Sequence, residues 1–103
     1  MNIIFGRKNA QELSPKFLVL ELETLDAQGT PLECFCLVPG EAIPQRDMPT
    51  LAHYTKLHQS FVDSLNSKNY SVCHELATHL RGQFGGELDS FYEVILKRIS
   101  TLV

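Results

Sequence analysis

The sequence predicts an α+β fold: an N-terminal antiparallel β-hairpin, with a third strand available from Asn2 to Phe5, packed against a C-terminal layer of three α-helices. Two apolar runs with β character, at 16–24 and 32–38, flank a polar stretch containing Gly29 and read as the hairpin. From residue 50 onward apolar residues recur at helical spacing in three stripes separated by polar or glycine-rich breaks. A chain of 103 residues is long enough for one hydrophobic core and too short for two, so a single domain is expected over 1–103, mainly β in 1–40, a connector at 41–49 and helical in 50–103.

Residues 9–13 predict a single helical turn that ends near Ser14, because Pro15 disfavours helix in the residue before it. In the first hairpin strand Leu18, Leu20 and Leu22 share one face, and Phe17, Val19, Glu21 and Glu23 share the other. The partner strand places Leu32, Cys34, Cys36 and Val38 on one face and Glu33, Phe35 and Leu37 opposite. If the leucine face meets the helices, Phe17, Val19, Phe35 and Leu37 remain as a second apolar face, which predicts cover by residues 3–5 or by another subunit. Pro44 and Pro49 mark the connector, with Pro49-Thr50 suited to open a helix.

In the helical half Leu51, Tyr54, Leu57, Phe61 and Leu65 form the first stripe. Cys73, Leu76, Ala77 and Leu80 form the second, and Leu88, Phe91, Tyr92, Ile95, Ile99 and Leu102 the third. The 66–69 segment breaks the first helix from the second, and Gly82, Gly85 and Gly86 end the second. Glu87 and Asp89 near the start of the last helix and Lys97 and Arg98 near its end complement its dipole.

Net charge is −3 and the nine Lys and Arg residues are scattered, which argues against nucleic-acid binding. No apolar run approaches the roughly 20 residues of a membrane span, and residues 1–5 lack the basic start of a signal peptide. Three sparse cysteines fit reduced thiols and a cytoplasmic location.

Cys34-Phe35-Cys36 is the sharpest local feature, since on a strand both sulfurs point the same way. With His53, His58, Cys73 or His74 they are the candidates for a thiophilic metal or redox site, yet CxxC and HxxxH spacings are absent. Two small residues buried under helices is the simpler reading, and no cofactor is expected. Each histidine pair is five residues apart, which sets the two rings about 140° apart around a helix, so boundary positions with one nitrogen in water are expected. No nucleophile elbow or phosphate loop occurs, and Asp89 with Glu93 reads as a solvated helix face rather than a carboxylate pair, so enzymatic activity is not expected. A ligand pocket between sheet and helices is compatible with the sequence without being specified by it.

Leu65, then Lys68-Asn69-Tyr70, then Cys73 and Ala77, resembles the turn of a tetratricopeptide-like helical hairpin, over roughly a third of the chain. The stretch Gly85-Gly-Glu-Leu-Asp-Ser-Phe-Tyr-Glu93 and the helix before it resemble small uncharacterised proteins of marine bacteriophages. That resemblance implies an accessory factor inside an infected bacterial cell and no particular activity. Together these readings predict a non-enzymatic protein-interaction or homo-oligomerisation module, most simply a homodimer through Phe17, Val19, Phe35 and Leu37.

Overall fold

A computed structural model describes residues 2–102, and the side chain of Ala27 lies outside the described set. Strand β1 (Asn2–Phe5) leads through Gly6, whose φ of 92° suits glycine, into helix α1 (Arg7–Leu13). Strands β2 (Leu18–Ala27) and β3 (Thr30–Val38) form the hairpin. Helices α2 (Leu51–Asn66), α3 (Tyr70–Leu80) and α4 (Asp89–Leu102) make the C-terminal layer. The α+β architecture agrees with the sequence, with α1 as a fourth helix that starts two residues before the expected turn.

The sheet has strand order β1-β3-β2 and is antiparallel throughout. The hairpin is tighter than a polar loop: Gln28 and Gly29 alone connect the strands, both at positive φ, and the Asp26 carboxylate accepts the Gly29 N–H at 3.0 Å. Register shifts between Glu21 and Thr24. This bulge inserts one residue into β2 and breaks the strict alternation read from the sequence. Glu23, assigned by alternation to the face away from the helices, instead meets Arg98 of α4.

Leu20, Leu22, Cys34, Cys36 and Val38 form the sheet side of the core, and Phe61, Val62, Cys73, Leu80, Tyr92 and Ile95 are among its helical side. The reverse sheet face carries α1. Phe35 is buried there together with Ala10, and the Arg7 guanidinium sits 5.3 Å from the Phe35 ring centroid. Arg7 also bridges the carboxylates of Glu33 at 2.6 Å and Glu21 at 3.1 Å.

The turn between α3 and α4 is more than a link. Phe84 lies in it with φ 56°, unusual for a bulky residue, and is buried in the core. Gly85 beside it, φ 68°, approaches the connector so closely that a Cβ would run into the Ala42 carbonyl oxygen. Only glycine fits there.

Candidate functional site

The sheet has two edges that differ in chemistry. On β3 the residues paired with β1 can be read from one hydrogen bond: the Gly6 N–H donates to the Glu33 oxygen at 2.8 Å, continuing the Phe5–Cys34 register. In an antiparallel ladder, hydrogen-bonded pairs alternate with non-bonded ones, so Ile4 and Asn2 also direct their amide groups at β3. Ile3 and Phe5 therefore direct theirs away from the sheet. By the same alternation Leu20 bonds to Cys36, and Glu21 turns its carbonyl outward at the β2 edge.

At the β2 edge that carbonyl is capped. His58 Nε2 lies 2.6 Å from the Glu21 oxygen, and Nδ1 lies 2.8 Å from the Tyr92 hydroxyl. A carbonyl oxygen can only accept, so Nε2 carries the proton and Nδ1 accepts from Tyr92. His58 is 1% exposed, with Phe84 edge-on to its ring, and burial lowers its pKa against the opposing pull of the Glu21 backbone and carboxylate. Burial likewise raises the Tyr92 pKa, reinforced by Asp89. The expectation of a boundary histidine with one nitrogen in water is overturned at His58. α2 turns toward the sheet about His58, Phe61 and Val62, so the ring enters the core and finds two partners there.

At the β1 edge nothing comparable occurs. β1 pairs with β3 alone among the described residues, and the only side chain hydrogen-bonded to its outward backbone is Asn9, whose Nδ2 donates to the Phe5 carbonyl at 2.9 Å. Two grooves flank this edge. On the helix side a groove of about 210 Å³ is lined by Ile3, Phe5, Leu22, Glu23, Leu25, Cys34 and Phe91. On the α1 side a groove of about 490 Å³ is lined by Ile3, Ile4, Phe5, Asn9, Glu12 and Leu13. Ile3 is 46% and Phe5 49% exposed, high values for large apolar side chains on a sheet. Leu25 joins them because the β2 bulge returns it to the helix-side face.

The residues singled out from the sequence fall elsewhere. Phe35 is not available to a partner, because α1 covers it, while Phe17, Val19 and Leu37 are half-buried. The face expected to be left over is thus closed in part by a helix that was read as one turn. Cys34, Cys36 and Cys73 are buried free thiols. Burial raises each pKa, that of Cys36 to about 11, and the Cys73 thiol lies 3.6 Å from the Phe61 carbonyl. His53 stands exposed and edge-on to Tyr54, and His74 lines a groove with Ala77, Thr78, Arg81 and Leu96. Among the described residues no three His, Cys, Asp or Glu side chains converge as a metal-ligand set.

Sequence reasoning missed Ile3 and Phe5 as surface features, although it offered their segment as a strand. The signal was present: an apolar three-residue run, Ile3-Ile4-Phe5, without a charge or proline to guard a strand edge. Among the described residues no helix is long and apolar enough to cross a membrane. Comparison with protein-family models, curated proteins and solved structures finds no match to this chain.

Proposed function

We propose that this protein is a non-enzymatic interaction module that binds an extended strand along the open edge of β1, working in the cytoplasm with its thiols reduced. The observation that carries this reading is the pairing of outward amide groups at Ile3 and Phe5, of which the Phe5 carbonyl accepts from Asn9, with an apolar groove on the same two residues. Backbone hydrogen bonds would supply affinity to an added strand, and alternate side chains entering the two grooves would supply selectivity. Burying Ile3 and Phe5 contributes roughly 1.5–3 kcal/mol per fully covered side chain, less for the fraction already hidden.

Panning of a random peptide library on the immobilised protein tests this reading, followed by fluorescence anisotropy with the selected peptides in solution. Peptides are expected to bind in extended form and to lose at least tenfold in affinity against the Ile3→Lys, Phe5→Lys double variant. Failure of the protein to select any peptide while it is monomeric in solution, or binding indifferent to both substitutions, would overturn it.

A further inference from the structure

Resting on the strand-addition reading, we infer that the strand received by this edge is β1 of a second copy, giving a twofold dimer with a continuous six-stranded antiparallel sheet. Two geometric conditions fix the register of such a pairing, and one observation selects its occupant. The first is polarity. Ile3 and Phe5 are the residues whose amide groups point outward, so a self-pairing must join odd-numbered residues to odd-numbered residues. The second is facing. A twofold axis perpendicular to the sheet keeps the helix layers of both copies on one side, and this too requires odd to meet odd, because Ile3 and Phe5 share the helix-side face with Cys36 and Cys34.

Both conditions are met when Ile3 pairs with Phe5 of the second copy and Ile4 faces Ile4 across the axis. That register uses the most outward groups, since each Ile3–Phe5 pair exchanges two backbone hydrogen bonds. The Phe5 carbonyl, already bonded to Asn9, retains a second lone pair for this purpose.

The observation that selects a second copy is the match of side chains to grooves. A strand added here must present apolar groups to the helix-side groove at two positions and a third to the α1-side groove between them, where Ile4 and Leu13 form apolar parts of the wall. Ile3-Ile4-Phe5 is such a strand, apolar on both faces. Between Asn2 and Phe5 no charge, proline or bulge opposes the pairing, whereas unpaired edges commonly carry one of these.

Light scattering after size exclusion, at about 100 µM protein, is expected to give twice the 11.6 kDa chain mass. Ile4→Cys then tests the register. Opposed non-hydrogen-bonded residues stand about 4.5 Å apart at Cα, inside the disulfide range, so oxidised glutathione as oxidant should link Ile4→Cys chains into a covalent dimer. Asn2→Cys, about four residues from its symmetry mate, should not cross-link. The native thiols are buried and stay out of this chemistry. Ile3→Lys should run as a folded monomer by circular dichroism and light scattering.

A dimer that survives Ile3→Lys, or one that cross-links at Asn2→Cys and not at Ile4→Cys, overturns the inference. A wild-type monomer whose edge still binds selected peptides overturns self-pairing and leaves strand addition standing. A monomer without edge-dependent peptides overturns both.

Discussion

Around Glu21 the β2 edge of the three-stranded sheet is finished in the opposite way to the β1 edge. At the β2 edge the outward Glu21 carbonyl meets His58, the ring is locked by Tyr92, and Phe84 closes over it. At the β1 edge, among the described residues, the outward groups of Ile3 and Phe5 meet a single exposed side chain, Asn9. A closed edge contributes to folding and is costly to disturb, because each buried polar group there depends on the other. An open edge contributes little to folding and is therefore the part of the sheet a partner can occupy without unfolding anything.

That contrast predicts a ranking of substitutions. His58→Ala removes the cap and leaves the Glu21 carbonyl and Tyr92 hydroxyl unpaired beside a new cavity, and is expected to cost about 3–5 kcal/mol in urea denaturation. A loss under about 1 kcal/mol would mean that the edge is closed by packing alone. Tyr92→Phe keeps the ring and deletes only the hydroxyl, leaving His58 Nδ1 without its donor, for an expected loss of about 1–3 kcal/mol by the same measurement.

Acid should loosen the closed edge before the open one. Burial lowers the His58 pKa in the fold, so below the ordinary value near 6.5 the unfolded chain takes up a proton that the folded chain refuses. Stability is fully present above that pH and falls as pH drops from there toward the lowered folded value. The Glu21 carboxylate is the charge that moderates this effect. Denaturation between pH 7 and pH 5 checks it, and a His58→Gln variant should show a flatter dependence over that interval. The smallest effect is expected at the open edge: Ile3→Lys should change folding stability by no more than about 0.5 kcal/mol, while removing self-association. A large folding defect in that variant would erase the distinction between the edges.

Much of the fold is legible in the chain because periodicity records burial. Leu20 and Leu22 on the sheet and Phe61, Leu80, Phe91, Tyr92, Ile95 and Ile99 on the helices are core residues in both readings. His58 was less legible, although it sits four residues after Tyr54 and three before Phe61, a spacing that places it on their face. Composition favoured water for it, and a tertiary partner 34 residues away decided otherwise. Phe84 was hidden for a related reason: a glycine-rich turn usually faces solvent, and here the positive φ at Phe84 itself directs the ring inward. The candidate edge could not be located from sequence, because openness depends on strand order, and only that order places β1 outside and β3 at the centre.

The burial of all three cysteines has a use beyond packing. Cys36 lies on the central strand and Cys73 on α3, and neither can form a thiolate at the surface while the fold is intact. Alkylation of either must therefore pass through a transient opening, and the two labelling rates report separately on breathing of the sheet and of the helical hairpin. The chain carries its own pair of clocks for local unfolding, read by mass spectrometry without any introduced cysteine.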